Sequence, residues 1–419
     1  MAGFDYLHWL LMRLPCLLLT GFFSALALPA GHAAGMAAFS APMMLHYGHV
    51  EVKGTLNGKP ARLVLDTGAG VTVVTPEAAR RFGLHLEKVD GVAEGVGGTV
   101  SIQSGGEVTV GVGRALLEKE PVFVVPVPEQ LHGCDAIVGL SFFRRFVVTI
   151  DYENRRCGFG DDVEAVVAAV AAAGRQKLPA VAAVSLPMTI EHGMPGISAL
   201  LDGQPMHLSI DTGDGSYATI YSQYVEKHHL RGRFAKRLDT VGGRGVGGVA
   251  QSEFVRVPSL MLGGDAKASG ALTLRNVIGD LSQQKNGAFA TSTSDGQIGG
   301  QILKRFVVTF DYERGRLLLT PNRQFREPFV FNRAGFGVDE RGGQYIAASV
   351  DPGGPGAVAG IQEGDVLLSI NGVAMPVIME ADDDAYPMMR KPVGMVLRVI
   401  RQRGASPPGE VDVTLRELL

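Results

Sequence analysis

The sequence predicts a mainly β protein: two duplicated β lobes followed by a smaller third domain. Three observations carry that prediction. A sixteen-residue stretch recurs 145 positions downstream; the aliphatic runs are short, alternating and bounded by Gly, Asn or Pro; and the composition shifts again from about Glu327.

The chain starts with MAGFDYLHWLLMR, an apolar run from Leu14 to Leu28, and then PAGHAAG. This reads as a secretory leader over residues 1–33, cut after Ala33 or alternatively after Ala27, and so as a periplasmic or secreted protein. The apolar run, at about 15 residues, falls short of the roughly 20 that span a bilayer, so membrane attachment requires an uncleaved leader. Cys16 follows RLP and lacks the small residues that precede a lipidated cysteine. Removing the leader from 419 residues leaves 386, enough for two or three domains of about 150 residues.

The chain carries 39 Lys and Arg against 42 Asp and Glu, a net charge of -3, with no long run of either sign. Neither nucleic acid nor an anionic lipid surface is implied as a partner. The ten histidines show no ligand spacing such as HExxH, so neither metal nor other cofactor is expected. The glycine-rich runs do not bind nucleotide either, because GVGG has no strand-to-helix context and no GxxxxGK[ST] occurs. Cys134 and Cys157 either pair, in an oxidising compartment, or remain two semi-buried thiols.

TLNGKPARLVLDTGAG (55–70) aligns without a gap onto LLDGQPMHLSIDTGDG (200–215), matching Asp66 with Asp211. Further on, EGVGG (94–98) is echoed by RGVGG (244–248), and RRFVVTIDYENRR (144–156) by KRFVVTFDYERGR (304–316). The offset grows from 145 to 160, so the second copy holds about fifteen extra residues, most of them expected in the loop-like stretch 263–296. Copies this long are lobes of a duplicated fold rather than solenoid units. The predicted boundaries are lobe one 34–163, an Ala/Val-rich linker 164–187 that is helix or extended, lobe two 188–325, and a third domain 326–419. Each lobe alternates as β throughout, with short helices predicted only at PEAARRFGL and GLSFFRRF.

A single Asp-Thr-Gly is usually only a turn. Two in equivalent places change the balance, because a pseudo-two-fold axis brings Asp66 and Asp211 together. Carboxylates about 3 Å apart cannot both ionise and share one proton, leaving one as base and one as acid. Such a pair activates a water and protonates a carbonyl. Thr67 and Thr212 are expected to brace the two turns across the interface, and Gly68 and Gly213 to let the backbone approach the carboxyls.

These residues resemble the retropepsin-like aspartic peptidases, particularly bacterial exported members with two fused lobes. The resemblance covers Val50 to Gly160 and about Ile197 to Pro321. It implies a late apolar-apolar-Gly element behind each Asp loop: Ile137, Val138 and Gly139 in lobe one, and Gln297, Ile298 and Gly299 in lobe two, where Gln297 is a degraded version. It also implies glycine-rich flaps, with tips at Gly95, Val96, Gly97 and Gly98 and at Gly245, Val246, Gly247 and Gly248, against the plainer reading of surface hairpins. Two positions depart from the pattern. Ala69 lacks the hydroxyl usual in pepsins, which raises the dyad pKa, and Asp214 is a third carboxylate expected to point away and cap a turn.

The last domain resembles a PDZ domain of bacterial arrangement, most clearly in AGIQEGDVLLSINGV (359–373). That resemblance implies a carboxylate-binding loop at Gly335, Phe336, Gly337 and Val338, and a groove in which an extended peptide adds as a strand. A structural lid on the lobes is the alternative. The functional expectation is a monomeric aspartic endopeptidase acting on peptide or protein substrates, with peptide termini bound by the PDZ domain. Its competitors are a non-catalytic peptide-binding protein with a drifted second lobe, and a dimer that pairs Asp66 from two copies.

Overall fold

A computed structural model describes residues 35–127, 131, 133–174, 183–234, 237–264, 270–380 and 387–419. The predicted leader, Cys16 and the middle of the predicted linker lie outside the described residues.

Lobe one runs β1 (Phe39–His46), β2 (His49–Leu56), β3 (Lys59–Leu65), β4 (Thr72–Val74), α1 (Pro76–Phe82), β5 (Glu87–Gly95), β6 (Gly98–Val112), β7 (Ala115–Val124), β8 (Ala136–Val138), α2 (Leu140–Arg145), β9 (Val147–Asp151) and β10 (Arg156–Gly160). The local sequence explains its joints. Asn57 and Gly58 both take positive φ (49° and 75°), the conformation of a two-residue hairpin turn, and Asp202 and Gly203 repeat it in lobe two (47° and 80°). Helix α1 starts where the Thr75 side chain accepts from the Ala78 N–H, with Pro76 in the first turn, and stops at left-handed Gly83.

After α3 (Val163–Ala173), lobe two repeats the order: β11 (Val184–Pro187), β12 (Thr189–Glu191), β13 (Met194–Leu201), β14 (Gln204–Ile210), β15 (Ala218–Ile220), α4 (Ser222–Lys227), β16 (Arg237–Gly245), β17 (Gly248–Gly263), β18 (Ala271–Ser282), β19 (Gly296–Ile298), α5 (Gly300–Leu303), β20 (Phe306–Asp311) and β21 (Arg316–Pro321). The Ala/Val-rich segment is thus helix at its start and strand at its end. Strand order β3-β8-β4-β7-β6-β5 in one lobe is matched by β14-β19-β15-β18-β17-β16 in the other. The insertion divides: the offset is 145 at the aspartates, 150 at the flap tips and 160 at β19, so ten of the fifteen extra residues follow the second flap tip.

The two late repeats pair with each other. β9 and β20 are antiparallel with Thr149 opposite Thr309, and their hydroxyls hydrogen-bond at 2.8 Å. These threonines occupy the same position of the repeat, which puts the pseudo-two-fold axis between them. β10 and β1 extend this sheet on one side, and β21 and β11 on the other. One hydrophobic core runs through both lobes, from Val50, Leu63 and Phe143 to Leu208, Ile210 and Phe310. Cys134 and Cys157 are unpaired and buried in separate clusters.

The last domain consists of β22 (Phe336–Arg341), β23 (Gln344–Val350), α6 (Pro355–Val358), β24 (Val366–Ile370), β25 (Val373–Ala374), α7 (Met375–Glu380), β26 (Val396–Gln402) and β27 (Gly409–Thr414). Its own core centres on Phe336, Ile370, Leu397 and Val413, and β22 is an edge strand. The domain is docked on the lobes. Phe329, Phe331 and Leu419 join the main core, Tyr47 from the β1–β2 turn packs against the last domain's own core, and Arg256 donates to the carbonyls of Phe329 (3.1 Å) and Leu419 (3.4 Å). Among the described residues no helix is long and apolar enough to cross a membrane.

Candidate active site

Each aspartate sits just past a strand buried on both sides. β8 runs parallel to β3 and β19 parallel to β14, so the Val138 carbonyl accepts from the Asp66 N–H (3.0 Å) and the Ile298 carbonyl from the Asp211 N–H (3.1 Å). Gly139 and Gly299 are required there. A Cβ on Gly139 would lie 2.3 Å from the Ala69 carbonyl oxygen, and one on Gly299 2.7 Å from that of Asp214.

The two turns are locked by a reciprocal pair of threonines. Thr67 Oγ1 donates to the Ile210 carbonyl (2.6 Å) and accepts from the Thr212 N–H (3.0 Å); Thr212 Oγ1 donates to the Leu65 carbonyl (2.8 Å) and accepts from the Thr67 N–H (3.0 Å). Both side chains are fully buried. Every donor and acceptor in the knot has a partner from the other lobe, so neither aspartate can move without breaking buried hydrogen bonds.

Across this knot each carboxyl lies against the other lobe's glycine. Asp66 Oδ1 accepts from the Gly68 N–H at 2.7 Å, and Asp211 Oδ1 from the Gly213 N–H at 2.9 Å. A Cβ on Gly213 would stand 2.2 Å from Asp66 Cγ, and one on Gly68 2.6 Å from Asp211 Oδ1. The two carboxyls thus face each other within one chain, close enough for each to perturb the other's ionisation. Burial raises the pKa of Asp66, and burial with the charges of Asp66 and Asp214 raises that of Asp211 further. The pair therefore holds a proton between two oxygens at a pH where isolated carboxylates have lost theirs.

Lobe two departs from symmetry in a way that the sequence reading missed. Asp214 caps a turn, as expected, with Oδ1 accepting from the Ser216 N–H (2.7 Å). It does not point away. Gln297 Nε2 donates both to Asp214 Oδ2 (2.8 Å) and to Asp211 Oδ2 (3.1 Å), and the Tyr221 hydroxyl donates to Gln297 Oε1 (2.7 Å). Gln297 is therefore not a decayed Ile but an amide whose two N–H groups bridge two carboxyls. Burial raises the Asp214 pKa as well.

Nor does the repeat reveal His49, which hydrogen-bonds to the Gly213 backbone while its Nδ1 has no partner, and which burial holds neutral with a pKa lowered to about 4. No signal in the sequence marks it, because the contact joins the first hairpin of one lobe to the Asp loop of the other.

The two flap tips meet above the dyad. The Gly97 N–H donates to the Val246 carbonyl at 3.0 Å, and a Cβ on Gly97 would stand 2.1 Å from the Gly248 nitrogen. Gly95 abuts Val246, Gly245 abuts Val96, and Gly247 abuts Gly98 in the same way. Val96 also packs on Tyr221, Ala250 and Phe289, and its carbonyl accepts from Gln284 Nε2 at 2.5 Å. The added segment of lobe two thus seats the flap of lobe one. Beneath lies a cavity of about 700 Å³, lined by Asp66, Asp211, both flap tips and the loop Gly335, Phe336, Gly337 and Val338. The predicted peptide-binding loop and the aspartates therefore open onto one cleft. Among the described residues no group of His, Cys, Asp or Glu is placed to hold a metal.

Residues 52–142 match the family model for aspartyl proteases, and residues 346–400 match that for PDZ domains. The chain has no match among curated proteins. Among solved structures, the crystal structure of aspartic proteinase from Irpex lacteus is similar at a TM-score of 0.42 and 12% identity, over 70% of this chain and 99% of that one. Residues 52–142 thus carry an aspartyl protease domain and residues 346–400 a PDZ domain, and lobe two shares the strand order of lobe one.

Proposed function

We propose that this chain, with its retropepsin-like lobes and its PDZ domain, is an endopeptidase that hydrolyses peptide bonds with a water held between Asp66 and Asp211. The observation that carries the reading is the reciprocal placement of each carboxyl on the other lobe's Asp-Thr-Gly turn, with raised pKa values for both. The ionised carboxyl takes a proton from water as its oxygen attacks the carbonyl carbon. The protonated carboxyl gives its proton to the carbonyl oxygen. A tetrahedral diol results, and it collapses as a proton returns to the amine and the C–N bond breaks. No covalent enzyme intermediate forms. The flaps exclude water over the reacting bond, and an extended peptide fits the cleft beneath them.

One observation favours a second reading. Gln297 donates to Asp211 Oδ2, an oxygen the attacking water would use, so lobe two would serve a peptide-binding cleft without chemistry. Cleavage of an unfolded protein by the full chain, against the Asp66→Asn and Asp211→Asn variants, separates the two.

The pH dependence follows from the charges around the pair. Activity needs one proton on the dyad and is lost on the alkaline side when that proton leaves. Burial and the negative Asp214 both retain it, so the alkaline limb lies above that of ordinary carboxylates. Asp214→Asn removes one of those charges. The alkaline limb of the kcat/KM profile is expected to move to lower pH, and an unmoved limb would show that Asp214 exerts no field on the pair.

The PDZ domain is expected to support the lobes as well as to meet peptide. Phe329, Phe331 and Leu419 each contribute about 1.5–3 kcal/mol by burial in the main core. A chain ending at Arg326 should lose cleavage of a short peptide as severely as cleavage of a folded protein. Retained short-peptide cleavage would assign the domain to recruitment alone.

A further inference from the structure

The lobes share a backbone but not the side chains facing the cleft. In lobe one, a cross-strand row reads Phe123 on β7, Val73 on β4, Ile137 on β8 and Val64 on β3. The equivalent row of lobe two reads Asp280 on β18, Thr219 on β15, Gln297 on β19 and Ser209 on β14. All four apolar positions have become polar ones. Residues directly opposite one another across strands share a sheet face. Val73, Phe123 and Ile137 line the cavity on one side of the dyad, and Ser209, Thr219 and Gln297 line it on the other. Lobe one adds Leu131 and Val125 to its apolar wall; lobe two adds Thr291, Thr293 and Ser294, beside the rings of Tyr221, Phe254 and Phe289.

Asp280 decides what the polar wall is for. It is fully buried, and neither carboxyl oxygen has a hydrogen-bond partner of good geometry, the adjacent Ser252 hydroxyl included. It stands directly behind the lining rather than in it: its cross-strand neighbours Thr219 and Phe254 face the cavity, and a cation reaches it only past them. A buried carboxyl without a partner is costly, and a cation brought to it removes that cost. The cavity as a whole has the same bias. Among its described lining residues are eight carboxyl groups, one guanidinium, that of Arg390, and no lysine. A cleft walled by one sign of charge concentrates ligands of the other.

We propose that the two side-chain pockets flanking the reacting bond are opposite in polarity, the lobe-one pocket taking a large apolar residue and the lobe-two pocket a lysine or arginine. The substrates of the proposed hydrolysis are then basic peptides cut between an apolar and a cationic residue. Burial pushes the Asp280 pKa up to about 7, so at neutral pH an arriving cation readily displaces its proton. The inference rests on the endopeptidase reading for its substrate, but the pocket polarity can be tested without catalysis.

The test uses peptides whose central amide is replaced by a non-cleavable reduced bond, identical except for lysine or norleucine on one side of that bond and with leucine on the other, in both orders. Binding to the full chain is followed by fluorescence anisotropy. In one of the two orders the lysine peptide should bind at least about tenfold tighter, the scale of one hydrogen bond to a charged group. Asp280→Asn and, independently, Thr219→Val should each reduce that ratio without reversing the apolar preference on the other side. Equal affinities in both orders, or tighter binding of norleucine on both sides, would overturn the proposal. Retained lysine preference with no cleavage of the ordinary peptides would sustain it and remove the hydrolytic reading instead.

Discussion

Asp211→Asn is expected to abolish the proposed peptide cleavage, and Asp66→Asn to do the same, each rate falling by about 10²–10⁴-fold or more. The expectation follows from the single proton that the pair shares. An asparagine in either place removes the base or fixes the acid, and the remaining carboxyl cannot perform both transfers. The fold is retained, because asparagine keeps an oxygen for the Gly68 or Gly213 N–H that each aspartate now accepts. Because the axis between Thr149 and Thr309 relates the lobes, the two losses should be of similar size. Full activity in Asp211→Asn would show that lobe two does not supply the partner.

The second large effect is on stability. Thr212→Val keeps the shape of the side chain but removes the hydroxyl that accepts from the Thr67 N–H and donates to the Leu65 carbonyl. Two fully enclosed backbone groups are then left without partners, at about 1–3 kcal/mol each. The urea midpoint should fall by the equivalent of about 2–6 kcal/mol, and kcat should fall more than KM rises, since the turn that carries the dyad is loosened while the cleft walls are untouched. Thr212→Ser, which restores the hydroxyl, should recover most of both. A change within about 0.5 kcal/mol, the range of an ordinary surface substitution, would mean the knot is not what holds the lobes in register.

How much of this was legible in the sequence depends on whether an interaction repeats. Asp66, Asp211, the threonines, and Gly68 and Gly213 that crowd the carboxyls were readable because duplication wrote each of them twice at an offset of 145, and Gly139 and Gly299 behind the Asp loops because they recur at 160. The hairpins at Asn57-Gly58 and Asp202-Gly203 and the helix cap at Thr75 are local, and their chemistry is carried by adjacent residues. Gln297 was misread as a worn apolar residue because a motif compares it only with Ile137. Its meaning lies with Asp214 and Tyr221, which the sheet register brings beside it. Asp280, Thr219 and Ser209 are invisible for the same reason, since each is an unremarkable strand residue until the row is assembled across four strands. His49 and Tyr47 act across lobe and domain boundaries, from a turn with no motif. The meeting of the flap tips also depends on the relative placement of the lobes, which no stretch of either flap encodes.

The central claim is that the Asp66–Asp211 pair, closed under the two flaps, hydrolyses peptide bonds. Its most direct test is incubation of the full chain with an unfolded protein substrate, with and without pepstatin, at each pH where the chain remains folded. Internal cleavage that pepstatin blocks is the predicted result. Absence of cleavage at every such pH, or cleavage that pepstatin and both asparagine variants leave unchanged, would contradict it.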